Sequence, residues 1–274
     1  VSAERVFKLI DEPEVVLDPP APASMEPFRG EVDFQDVSFA YDGVNDVLRH
    51  VSFHVPAGSS LALVGATGAG KSSIISLLSR FHDVREGSVR VDGKDVREVA
   101  QSDLRRRIGL VQQDPVIFSG TIASNISLNN PAVTREAVIQ AATFVHAHEF
   151  ISRLPLGYDT PAGERGSTLS TGQKQLLALA RAMVQNPDIL LILDEATANV
   201  DTETEQLIQK AMDSVMRGRT SIIIAHRLST IRHVDQILVL RRGEIIERGR
   251  HDELIRQGGY YRTLYELLQH SPAG

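Results

Sequence analysis

The sequence predicts an α/β fold: a parallel central sheet, an antiparallel β portion at the front, and an inserted α-helical lobe. Three observations carry this. Purely apolar runs such as Ile-Leu-Leu-Ile-Leu at 189–193 and the Ser-Ile-Ile-Ile-Ala run at 221–225 suit strands covered on both faces of a parallel sheet. From Gly65 onward, strand-like and helix-like segments take turns. From about Thr121 to Gln185 the pattern is mostly helical.

Five of the 12 prolines fall between Pro13 and Pro27, a density that holds neither a helix nor a central strand, so this stretch reads as an extended linker. Ahead of it, Ala3 to Ile10 reads as the last turns of a helix arriving from upstream. The start on Val, without Met, suggests a piece of a longer protein. GEVDFQDVSFAY (30–41) alternates as a strand should, and VLRHVSFHV (47–55) and SLALVG (60–65) follow as strands. KSSIISLLSRF (71–81) is expected as a helix, SVRVDG (88–93) as a strand with a turn, and RIGLVQQ (107–113) as a strand. Beyond the helical lobe come the strand ILLILDE (189–195), the helix TETEQLIQKAMDSVM (202–216) and the strand TSIIIAH (220–226). The hairpin QILVLRRGEIIERG (236–249) and one C-terminal helix, HDELIRQGGYYRTLYELLQ (251–269), complete the chain.

With 274 residues, 42% of them hydrophobic, there is material for one large domain, or a domain with a lobe. The formal net charge of −6 gives no reason to expect a nucleic-acid partner. With no cysteine there are no disulfides and no thiolate metal sites. No apolar run approaches the roughly 20 residues that cross a bilayer. Arg105 to Arg107 read as a solvated helix face, and His146 and His148 as surface helix in preference to metal ligands.

Chemistry enters with GATGAGKSS: Gly65, Ala66, Thr67, Gly68, Ala69, Gly70, Lys71, Ser72 and Ser73. The stretch fits G-x-x-x-x-G-K-[ST] between a strand and a helix, the P-loop context. Glycines let backbone N–H groups turn inward around phosphate oxygens, and the helix N-terminus adds its dipole. Lys71 can reach the β- and γ-phosphates, and the Ser72 hydroxyl can ligate Mg²⁺. The apolar strand ending in Asp194 sets a carboxylate at a strand's C-terminal edge, where open α/β sheets bind ligands. Asp194 suits the Mg²⁺ shell, and the adjacent Glu195 could polarise an attacking water, which points to γ-phosphate hydrolysis. A second helix start, Ser170-Thr171-Gly172, also looks prepared for an anion.

LSTGQ (Leu169 to Gln173), with LDEAT about twenty residues later, resembles the signature motif of ATP-binding cassette (ABC) transporter ATPases, usually L-S-G-G-Q. The rest of the chain is similar to that family motif by motif. Tyr41, which alone would read as a strand-end aromatic, matches the aromatic that stacks on adenine. Gln113 in VQQDPVIF matches the glutamine joining the Mg²⁺ and water site to the helical lobe, and is preferred to Gln112 because QDP aligns with Q-[ED]-P. GERG (163–166) resembles a short motif of exporters, TANVD ends in Asp201 as the family loop does, and His226 stands where the family keeps its switch histidine.

The resemblance spans about 30–269 and implies a P-loop NTPase with a RecA-like core. It also implies a head-to-tail dimer in which the P-loop of one chain and the signature helix of the other hold one ATP. Ser170, Gly172 and Gln173 would then serve a triphosphate bound by the partner's Lys71. The expected catalytic set is Glu195, His226, Gln113 and Lys71, with Ser72, Gln113 and Asp194 as metal ligands and Tyr41, Asp201 and the P-loop as nucleotide contacts. Residues 1–29 are expected to be the end of a transmembrane helix and a linker, and 30–274 the ATPase domain, with its helical subdomain at about 115–185. The implied partners are a second ATPase domain, in a homo- or heterodimer, and a transmembrane domain of the same polypeptide, at the cytoplasmic face of a membrane. Thr171 replaces the usual glycine, which leaves unequal paired sites open. The rival readings are a non-transport ATPase of the same superfamily and a regulator that binds ATP without hydrolysing it.

Overall fold

The computed structural model describes residues 16–112, 114–194, 202–225 and 231–270. Two sheets organise the chain. The first is antiparallel, in the order β2-β1-β4-β5, from β1 (Val32–Phe39), β2 (Leu48–Val55), β4 (Glu86–Val91) and β5 (Lys94–Asp95). The second runs β10-β9-β3-β8-β7-β6, from β3 (Ser60–Val64), β6 (Ile108–Val111), β7 (Ile189–Asp194), β8 (Thr220–Ala225), β9 (Gln236–Arg241) and β10 (Glu244–Gly249). Its strands are parallel except for β10, which returns antiparallel from the hairpin. This is the predicted α/β core with an antiparallel front.

The apolar runs are explained by burial on both faces. Along β3, Leu61 and Leu63 enter one core while Ala62 and Val64 enter the other. In β8, Ile222 and Ile224 likewise oppose Ile223 and Ala225. The period of two in a strand leaves no solvated face, so the positions after the polar starts Ser60, Thr220 and Ser221 are all apolar. One core packs the antiparallel sheet and helix α1 (Lys71–Leu78) on the central sheet. The other packs the helical lobe and α7 (Thr202–Met216) on the opposite face.

Short helices build the lobe: α3 (Ile122–Ser127), α4 (Arg135–Phe144), α5 (His148–Ser152) and α6 (Thr171–Met183), while α2 (Gln101–Arg107) precedes β6. Thr121 caps α3 by accepting from Ser124 N at 3.1 Å, and Thr134 caps α4 from Ala137 N at 3.2 Å.

Three expectations change. The C-terminal helix is two, α8 (His251–Gln257) and α9 (Tyr260–His270), because Gly258 adopts φ +70° and ends the first. The helix after the P-loop stops at Leu78, since Arg80 turns to φ +51°. The arginines of α2, of which Arg105 and Arg106 are exposed, are more than a solvated face. Arg105 donates to the Ser79 and Arg80 carbonyls and lies 4.8 Å over the Phe81 ring, and Arg107 pairs with Glu26 and Asp188 and covers Phe28. Arg106, 71% exposed, meets only Asp103 of its own helix, at 3.8 Å, among the described residues.

Those arginines belong to a seam that fastens the proline-rich segment to the domain. Arg80, its side chain 3% exposed, donates to Leu17 O and Val99 O, both at 2.8 Å. Asp18 accepts from Gln101 N at 3.0 Å, which with its other hydrogen bonds and charges holds the carboxyl below its usual range. Ala23 N donates to Glu98 O, and the Asp92 carboxylate gathers the N–H groups of Arg29, Gly30 and Glu31 at 2.8–3.1 Å. Among the described residues the segment forms neither helix nor strand and is bound along its length. The expected upstream helix at Ala3–Ile10 lies outside the described residues.

Candidate functional site

The P-loop leaves β3 at Val64 and enters α1 at Lys71. Gly70 takes φ +101°, a conformation that side chains disfavour, and no side chain caps the helix it opens. An uncapped helix start beside a glycine loop is the backbone arrangement that receives an anion. Lys71 is buried at 7% exposure, its Nζ donating to Gly65 O at 2.7 Å and Ala66 O at 3.0 Å, so the ammonium is folded over the loop. Ser72 is exposed beside it.

The loop is bolted from behind. Gly243, in the two-residue turn between β9 and β10, donates to Ala69 O at 3.2 Å and accepts from Arg49 N at 2.9 Å. Arg242 and Gly243 both have positive φ, the type I′ hairpin pattern. One turn thus joins both sheets and the P-loop. Nothing in the local sequence beyond Arg-Gly announces it.

Strand register places Asp194 relative to that loop. Leu63 of β3 and Leu193 of β7 both pair with Ile224 of the intervening β8. Asp194 therefore ends its strand at the P-loop edge, two strands away, roughly 10 Å at the usual spacing. The chain leaves β8 at Ala225, between the two. Residues Gln113, Glu195, Asp201 and His226 lie outside the described residues.

Tyr41 lies beyond β1 and is 55% exposed. Its hydroxyl is 3.1 Å from Ser73 Oγ on α1, and its ring stands nearly perpendicular to Phe39 and His82. Asp42 next to it closes a turn by accepting from Asn45 N and Val44 N. The Asn45 backbone bond, first among several, lowers its carboxyl pKa to about 2. No local pattern singles out His82, forty-one positions after Tyr41.

The second helix start is built differently. Ser170 Oγ accepts from Gln173 N at 3.2 Å while Gln173 Oε1 accepts from Ser170 N at 3.0 Å, a complete capping box. With its oxygen engaged, the exposed Ser170 hydroxyl retains a hydrogen to donate outward. Gly172 is buried against Thr204 of α7, where an added Cβ would collide with the Thr204 methyl. Gly166, ending the 163–166 turn, lies against Ile117 and Lys174 of α6. Arg181 ties α6 to the segment after residue 113, donating to Val116 O and Asn125 O at 2.9 Å, and burial lowers its pKa. His148 pairs with the Tyr158 hydroxyl at 2.9 Å.

Comparison with known proteins agrees with this geometry. A family model described as "ABC transporter" matches residues 48–198. A probable multidrug resistance ABC transporter ATP-binding/permease protein of Bacillus subtilis is 51% identical over 97% of this chain and 39% of its own length. An ATP-dependent lipid A-core flippase of Desulfotalea psychrophila is 44% identical over 97% of this chain and 46% of its own length. The structure of a bacterial Atm1-family ABC exporter with ATP bound superposes with TM-score 0.88 and 45% identity, over 99% of this chain and 47% of that one. The chain thus spans less than half the length of each of these proteins. Since the matched family region carries the P-loop, the Ser170 helix and β7 in one alignment, this chain belongs to the ABC transporter family.

Proposed function

We propose that this chain is the ATP-binding and ATP-hydrolysing domain of an ABC exporter. The observation that carries the reading is the buried Lys71 folded over an uncapped helix start, with Asp194 ending a strand at the same sheet edge. The P-loop amides and Lys71 hold the triphosphate, Tyr41 stacks on the base, and Asp201 and Gln173 complete the nucleotide contacts. Ser72 and Asp194 offer hydroxyl and carboxylate oxygens, the hard donors Mg²⁺ prefers, and Gln113 joins them. When bound, Mg²⁺ neutralises charge on the β- and γ-phosphates. Glu195 takes a proton from the attacking water, and His226 and Gln113 fix the γ-phosphate and that water in line.

The two helix starts serve different nucleotides. Lys71 grips one, and Ser170 with the Gly172 N–H reaches the γ-phosphate held by a second ATPase domain. Hydrolysis removes the group that both halves hold, so the pair separates, and the cycle drives a transmembrane domain at the cytoplasmic face of a membrane. Names of relatives that pair an ATP-binding part with a permease part support this arrangement. Ser170 and Gly172 are retained around Thr171, so the site works in a homodimer or a heterodimer.

Lys71→Ala removes a charge-assisted contact and should weaken MgATP binding roughly tenfold to a hundredfold. Glu195→Gln should bind MgATP, stop phosphate release and sediment as a dimer. A monomer in saturating MgATP would sink the shared-site reading.

A further inference from the structure

His82 is the residue near the nucleotide platform that the family motifs leave unassigned. It sits at the corner after α1, and this corner is rigid. Phe81 N donates to Ser76 O at 2.8 Å, Arg105 Nη2 donates to Arg80 O at 2.8 Å, and Arg85 N reaches Ser38 O at 3.0 Å. From that fixed backbone the imidazole meets Tyr41 with centroids 5.1 Å apart and planes at 88°. Phe39, buried at 3% exposure, meets the same tyrosine at 4.8 Å and 77°. Among the described residues the His82 ring makes no hydrogen bond or ion pair, and its aromatic contacts are these two rings.

A tyrosine 55% exposed would ordinarily sample several rotamers. Here its ring is held by two perpendicular neighbours and its hydroxyl by Ser73. With the residue 55% exposed, part of its surface stays open to a ligand. Edge-to-face contact is also the arrangement that aromatic quadrupoles favour.

We propose that His82 is a positioning residue that holds the Tyr41 ring in the plane on which the adenine of ATP stacks, and so sets affinity for the base and not for the phosphates. The proposal rests on the reading of Tyr41 as the base platform. Ordering that ring before the nucleotide arrives removes an entropic cost from binding.

The test measures equilibrium binding of MgATP and of magnesium tripolyphosphate, which has no base, to the whole chain. His82→Ala should weaken MgATP three- to tenfold, raise KM for ATP with kcat unchanged, and leave tripolyphosphate binding as it was. His82→Phe, which keeps an aromatic edge, should restore MgATP affinity to within about twofold. In a Tyr41→Ala background, His82→Ala should add nothing. Equal weakening of both ligands would assign His82 to loop integrity and overturn the proposal. Unchanged MgATP affinity in His82→Ala, with Tyr41→Ala impaired, would overturn it while leaving Tyr41 as the platform. Unchanged affinity in Tyr41→Ala would overturn the platform reading itself.

Discussion

Gly243→Ala should unfold the chain more easily and loosen nucleotide together, and the structure sets the size of both effects. The residue sits at φ +84°, where a Cβ costs about 1–2 kcal/mol. That Cβ would also fall inside 3.0 Å of the Val47 carbonyl oxygen, a backbone atom that cannot swing aside, against 3.4 Å for ordinary contact. The strand end and the turn must part by several tenths of an ångström, and overpacking of this kind adds about 1–3 kcal/mol. The expected loss is therefore about 2–5 kcal/mol. Gly218→Ala is the control: it has φ +72° and nothing within 4 Å of its Cβ, so it meets the backbone term alone. Urea unfolding of the two variants isolates the collision as their difference. Because Gly243 N donates to Ala69 O, MgATP affinity should fall in Gly243→Ala and hold in Gly218→Ala. Equal destabilisation, or MgATP affinity unchanged in Gly243→Ala, would refute the reasoning.

Arg80→Met should expose residues 16–19 to protease and cost about 2–4 kcal/mol, since it strands the Val99 and Leu17 carbonyls; continued protection would make Gln101 the principal anchor. His251 gives a pH dependence. Burial first, then the Arg232 guanidinium, lowers its pKa from 6.5, against an opposing pull from Asp252, while Nδ1 faces the Tyr261 hydroxyl at 2.7 Å and the ring lies beside Tyr265. The unfolded chain therefore binds a proton there that the folded chain refuses. This contribution to stability is complete above pH 6.5 and declines as pH falls towards the lower folded pKa. Denaturation of His251→Gln across that window should show a flatter pH profile, and an unchanged slope would assign the dependence elsewhere.

What could be read in advance depended on the range of the interaction. The helix at Thr202–Met216 and the hairpin of β9 and β10 emerged with the expected bounds, because apolar period and turn residues are local signals. The break at Gly258 was equally local, a glycine pair that helical periodicity on both sides concealed. The contacts of Arg105 and Arg107 are not legible in sequence because their partners arrive from residues 26–28, 79–81 and 188. The P-loop was legible because its chemistry requires a contiguous string, whereas the bolt at Gly243 and the ring at His82 act across sheets and leave no pattern in their own neighbourhoods. Gly172 illustrates a third situation: a motif position read for its N–H also answers to the bulk of Thr204.

The fastening of residues 17 and 18 through Arg80 has a mechanical corollary. A pull applied at residue 16 meets no slack, since Gln101 holds the residue 16 carbonyl and the next purchase is the guanidinium just past the helix begun by Lys71. Tension along that cord would tilt the helix that opens at the glycine loop as one lever, and a tilt of that helix would tug the cord in return.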